Sequence, residues 1–183
     1  MNKRKPKIIE DKKQRGEWAE SLFMARASEH GLPVSKPWGD SSSYDFVVGR
    51  PGRFVAVQVK STVAHSENGK GYVCSVCSSH KRYRRGSFDF LAAYVVFEEA
   101  WYIIPEENIR GKLSISLLTQ CSESRYEDYR EAWHLMREAL EKKEEPKEKA
   151  SEAEEPAELE RLPRNALERM EASFRFVKKQ LEQ

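Results

Sequence analysis

Apolar residues recur at helical spacing from about Asp11 to His30. Trp18, Leu22 and Ala25 make a stripe, Ala19 and Phe23 widen it, and Gly31 with Pro33 just beyond ends the helix. At about 100° per residue Glu20 falls beside Phe23 and Ala27 at the margin of this face, while Glu17 lies further round toward solvent. The period then shortens to two. Short strands are predicted over Val34–Trp38, Tyr44–Val48, Phe54–Lys60, Tyr72–Val76, Leu91–Phe97, Trp101–Ile104 and Ser114–Leu118, with tight turns at Pro51-Gly52 and Glu98-Glu99-Ala100. A helix followed by many strands is an α+β pattern with a largely antiparallel or mixed sheet.

Helical spacing returns from Ser124 to about Leu140, with Tyr129, Trp133, Met136 and Leu140 on one stripe. Glu141 to Glu160 is almost entirely Glu, Lys, Ala and Pro, which buries no core and reads as a charged spacer. Leu167, Met170, Phe174, Val177 and Leu181 then recur at spacings of three and four, an amphipathic helix suited to docking on the core or on another subunit. The organisation predicted is a core over residues 10–119, an appended helix over 120–141, a charged linker over 142–160 and a C-terminal helix over 161–183.

Charge sharpens this division. The 183 residues carry a net +2, yet residues 1–120 hold 19 Lys and Arg against 13 Asp and Glu, and residues 121–183 hold 13 against 17. A basic body, at +6, carries an acidic back third, at −4. No apolar run approaches the ~20 residues that cross a bilayer, and no signal-like stretch follows Met1–Lys7, so a cytoplasmic protein without membrane attachment is expected. The odd count of three cysteines fits a reduced compartment. Cys74 and Cys77, with His80 nearby, raise a zinc site, but residues three apart on a strand point to opposite faces, which favours ordinary buried thiols.

The stretch that carries chemistry is Tyr44-Asp45-Phe46-Val47-Val48, the Gly49–Gly52 turn, and Arg53-Phe54-Val55-Ala56-Val57-Gln58-Val59-Lys60. Val55, Val57 and Val59 form an apolar face, so Gln58 and Lys60 share the other. A turn centred on Pro51-Gly52 pairs Arg50 with Arg53 and sets Asp45 opposite Gln58, with Cβ atoms roughly 4.5 to 5.5 Å apart. A three-residue loop or a bulge would break that register. A carboxylate beside an amide oxygen offers hard ligands to Mg²⁺, whose ~2.0 to 2.1 Å bonds need few protein groups because the ion keeps waters and takes phosphate oxygens. A lysine on the same face opposes charge building on phosphorus. Each residue also has a plainer role: Glu20 as a helix-surface acid, Lys60 snorkelling from a strand end, Asp45 capping a turn.

Gly16-x-x-x-Glu20, Tyr44-Asp45 and Gln58-Val59-Lys60, followed by Lys60-Ser61-Thr62, Phe88-Asp89-Phe90 and Trp101-Tyr102-Ile103-Ile104-Pro105, resemble the PD-(D/E)XK nuclease superfamily. They are most similar to its group I intron-associated endonucleases, in which Gln stands in the middle-acid position. The resemblance covers roughly residues 10 to 118. It implies an α/β/α-type core with a mixed sheet and Mg²⁺-dependent DNA cleavage, with Mn²⁺ as a substitute. It further implies metal held by Asp45, Gln58 and the Val59 carbonyl, with Glu20 completing the shell and Lys60 as the catalytic lysine. Tyr44 replaces the eponymous proline, and Gln58 removes a negative charge and so weakens metal binding.

His80-Lys81-Arg82-Tyr83-Arg84-Arg85 is the densest basic cluster in the part of the chain expected to be ordered, suited to phosphate contacts that position without specifying sequence, and Asn2–Lys7 adds four cations in an arm suited to lying along a groove. Lys81, Arg82, Arg84 and Arg85 are the candidate DNA contacts, and Asp89 is read as structural. The expectation is an endonuclease acting on double-stranded DNA, homing-endonuclease-like, with no small-molecule cofactor. With one site per chain, cutting both strands takes either two subunits or two visits, and a homo-oligomer, dimer or tetramer, is expected. Three other readings stay open: a structure-specific Holliday-junction resolvase, a DNA-binding module of the same fold without cleavage, and a zinc-stabilised binding protein.

Overall fold

Asp11 starts the first helix by accepting the Gln14 N–H at 2.7 Å, and the helix α1 runs over Lys12–Glu29. It ends in a Schellman closure: the Leu32 N–H returns to the Ala27 carbonyl and the Gly31 N–H to that of Ser28, both at 2.9 Å, with Gly31 at φ +69°. The computed structural model describes residues 8–39, 42–67, 69–78, 81–119 and 124–141. Among these, no helix is long and apolar enough to cross a membrane.

The strands are β1 (Val34–Ser35), β2 (Phe46–Arg50), β3 (Arg53–Thr62), β4 (Tyr72–Ser75), β5 (Cys77–Ser78), β6 (Lys81–Arg82), β7 (Phe90–Val95), β8 (Ala100–Pro105) and β9 (Ser114–Leu117); the short helix α2 is Glu106–Ile109 and α3 is His134–Glu141. The central sheet has the order β1-β2-β3-β7-β8 and is mixed, because β3 and β7 are parallel while the other neighbours are antiparallel. Val55, Val57 and Val59 face α1 and α3. Leu91, Ala93, Tyr102 and Ile104 face a second layer built around the two-stranded β4–β9 sheet, with Ile109 of α2. The core is thus of the expected α+β class, with a largely β far layer.

Three details differ from the sequence reading. The buried face of α1 is Ala19, Phe23 and Ala27, about one residue round from the predicted stripe; Ala25 is exposed and Trp18 lies at the margin against Tyr94. Phe23 sets this rotation, since its ring lies 5.2 Å from Phe46 and 5.7 Å from both Trp101 and Trp133. β1 is two residues long instead of reaching Trp38. The third difference concerns residues 124–140, of which only the end is α-helical. Tyr126 packs in the far layer while Trp133 and Met136 pack beneath α1, so the chain rounds the edge of the sheet, which no single straight helix does. A 3₁₀ turn at Glu127–Tyr129 precedes Arg130, which bridges to Tyr102 of β8. Glu131 then takes φ +51° and donates its backbone N–H to the Trp101 carbonyl at 2.8 Å. Its carboxylate accepts the Trp101 N–H and the Trp133 indole N–H, each at 2.8 Å.

The chain divides into units Met1–Lys142 and Lys143–Gln183. The segment expected as an appended helix therefore belongs to the first unit, and Trp133 and Met136 are part of its core. The charged linker, the C-terminal helix, Cys121, His80 and the Asn2–Lys7 arm lie outside the described residues.

Turn chemistry sets the hairpin between β2 and β3. Gly49 pairs with Phe54 at φ +146°, and a Cβ there would run into the Arg53 carbonyl oxygen. Gly49→Ala is expected to cost at least about 2 to 3 kcal/mol, read as a lower urea midpoint. An unchanged midpoint would mean the hairpin adopts another register.

Candidate active site

β2 begins at Phe46, whereas β3 continues past Val57 to Thr62. The register pairs Phe46 with Val57 and Arg50 with Arg53, the arrangement that sets Asp45 beside Gln58. Asp45 closes the gap where β2 has stopped. Its N–H donates to the Val57 carbonyl at 2.9 Å and its carboxylate accepts the Val59 N–H at 2.7 Å. The Val59 carbonyl points to the same side of the strand as its N–H, so it too opens onto this gap.

The Gln58 amide NH₂ donates both to this Asp45 carboxylate and to the Val59 carbonyl, the latter at 3.1 Å. The NH₂ group is wedged between two oxygens, a space whose chemistry also suits a cation. A half-turn of the amide presents its oxygen there instead, which completes a set of hard oxygen donors. Among the described residues no three of His, Cys, Asp and Glu converge. The donors here are carboxylate, amide and main-chain carbonyl, a combination that fits a hydrated Mg²⁺ and not a closed Zn²⁺ site.

Burial pushes the Asp45 carboxyl above the usual carboxylate range, and the Glu20 charge adds to the effect. The Val59 N–H and the charges of Lys60 and Lys36 pull the other way. Asp45 therefore senses the charges of Glu20, Lys60 and Lys36. Glu20, 23% exposed, reaches into this cluster from the margin of α1 and is held by the Lys36 ammonium at 2.8 Å. Lys36 also lies over the Phe46 ring at 5.8 Å. Sequence reasoning missed Lys36, because its partner is sixteen residues away and no local pattern joins them.

Gln58 is buried, and Lys60 lies on the same face of β3 with its ammonium 5.8 Å from the centre of the Tyr83 ring. Tyr83 packs edge-on against Phe88 at 5.0 Å. The basic segment begins as a strand: Lys81 and Arg82 form β6 against β5, and Arg84 and Arg85 are exposed beyond it. Its one aromatic residue thus ties the four exposed cations to Lys60. The Asp89 carboxylate accepts the Ala56 N–H at 2.7 Å, a hydrogen bond that joins the residue before β7 to β3. Cys74 is sealed in the core with its thiol pushed up to about 12 by burial, and Cys77 sits half-buried beside the Ser75 hydroxyl. A thiol held protonated in this way is a poor metal ligand.

No curated protein sequence resembles the chain closely enough to count as a match. Among solved structures, a bacterial homing endonuclease, I-Ssp6803I, is 32% identical with a TM-score of 0.60, over 72% of this chain and 98% of its own. The family model for PD-(D/E)XK endonucleases matches residues 10–136, from the start of α1 into α3. That span is well over half of the sequence and includes Glu20, Asp45, Gln58 and Lys60, and the chain belongs to the PD-(D/E)XK endonuclease family.

Proposed function

We propose that the chain is a Mg²⁺-dependent endodeoxyribonuclease that hydrolyses phosphodiester bonds in double-stranded DNA, of the Gln-x-Lys type associated with group I introns. The observation that carries this reading is the Gln58 amide bridging the Asp45 carboxylate and the Val59 carbonyl. Asp45, Gln58 and the Val59 carbonyl would hold the cation, with Glu20 joining directly or through water; Mn²⁺ suits the same donors. When bound, the cation supplies positive charge against the negative charge that builds on phosphorus.

Lys60 presents its ammonium to the attacking water and to the phosphate, while Tyr83 restrains it from the side. Lys81, Arg82, Arg84 and Arg85 hold the duplex backbone next to this lysine. Lys36 balances the two carboxylates until substrate arrives. With one such site per chain, both strands are cut either by two chains together or by two visits of one, and a homo-oligomer is the arrangement proposed. The likeness to a bacterial homing endonuclease supports duplex DNA as the substrate.

Plasmid nicking tests the proposal. The wild-type chain is expected to nick supercoiled DNA with Mg²⁺ and not with chelator. Lys60→Ala should slow nicking by about 10²- to 10³-fold while duplex affinity changes only a few-fold. Cleavage in chelator, or full-rate cleavage by Lys60→Ala, would sink it.

A further inference from the structure

Trp38 is 101% exposed, far beyond the next large apolar side chain among the described residues, Phe54 at 57%. Indole is a large apolar group that ordinarily finds cover. Here it is held away from the body between Pro37, whose ring fixes φ, and Gly39 at φ +82°. Two residues before it, Lys36 is anchored to Glu20 and lies over Phe46, next in sequence to Asp45. The loop that presents the indole therefore departs from the rim of the candidate active site.

We infer that Trp38 is a nucleobase-stacking contact, taking the face of a base that is unstacked next to the phosphate to be cut. This rests on the reading of the chain as a DNA-cleaving enzyme. A bare indole on a loop that leaves the rim of a site containing Lys60 matches the two halves of a nucleotide, since the ring offers a π surface to the base and the ammonium offers charge to the phosphate. Because every base has such a surface, the contact adds affinity without reading sequence. It also gives the site a way to hold a locally opened duplex, in which one base leaves the stack and the adjoining phosphate moves toward Lys60.

Trp38 is the most exposed of the chain's four tryptophans; Trp101 and Trp133 are buried and Trp18 is 36% exposed. Its emission therefore reports the contact. In chelator, wild-type emission should be quenched on titration with a single-stranded oligonucleotide and with a duplex carrying a one-base gap. Trp38→Phe should keep affinity within about 3-fold while most of the quench disappears, and Trp38→Ala should bind about 5- to 100-fold more weakly. Equal affinity for Trp38→Ala with an unchanged quench would overturn the inference. So would a shift in emission that follows protein concentration without DNA, since Trp38 would then be covered by a second copy. The two readings fail separately. A chain that shows the Trp38-dependent quench but never nicks with Mg²⁺ keeps this contact and loses the nuclease; one that nicks normally as Trp38→Ala, without a quench, does the reverse.

Discussion

Asp45→Asn is expected to abolish cleavage and, in chelator at neutral pH, to make the protein more stable than wild type. Cleavage should fall on the order of 10³-fold or more, because the change removes the charge that opposes the cation in the proposed site. The stability gain follows from the raised carboxyl. Burial, reinforced by Glu20, holds the folded-state value above the ordinary 3.8, so the folded chain keeps a proton over a range where the unfolded chain has lost it. Wild-type stability thus falls as pH rises from the ordinary value through the raised one, and stays lower above it. An asparagine side chain carries no such charge, yet its oxygen still accepts from the Val59 N–H.

Thermal melts in chelator should therefore converge for the two proteins below the ordinary carboxylate value and separate above it, with the Asp45→Asn variant the higher. Adding Mg²⁺ should raise only the wild type, by about 2.7 kcal/mol at a hundred times the dissociation constant. Equal melting at neutral pH in chelator would mean that Asp45 is not strained by burial. An equal response to Mg²⁺ would move the cation elsewhere.

Phe23→Ala should give the largest loss of stability, about 3 to 5 kcal/mol. Phe23 is fully buried and its ring meets Phe46, Trp101 and Trp133, so truncation opens a cavity where α1, β2, β8 and the segment before α3 converge. The urea midpoint should fall with an unchanged slope. Glu20 lies one turn before Phe23 on α1, so nicking should weaken even where the variant is fully folded. A cost below about 1 kcal/mol would mean that α1 rests on its Trp18 face instead.

Much of this could be read before any coordinates, and the reasons are local. Asp11, Gly31 and the apolar spacing define α1 because capping and closure act within a few residues. The Asp45–Gln58 register followed from Pro51-Gly52 and strict alternation in β3, since a turn of known length transmits its geometry along both strands. What was hidden depends on distant partners. The rotation of α1 was decided by the aromatic rings that receive Phe23. The break at Arg130–Glu131 arose because Tyr126 and Trp133 serve opposite sides of one sheet, which a single helical period conceals. Lys36 needed α1 and β1 placed side by side before its bond to Glu20 had any meaning.

The turn at Glu131 has a consequence for how copies of this chain meet. A sheet ordered β1-β2-β3-β7-β8 ends in two edge strands, and a bare edge recruits further strands from neighbouring molecules. At β8 the Arg130 bridge and the bonds of Glu131 to Trp101 already occupy edge positions. At β1 the edge is two residues long and stops before Pro37, which has no N–H to offer. The central sheet thus resists extension from one molecule into the next, which protects it from edge-to-edge aggregation.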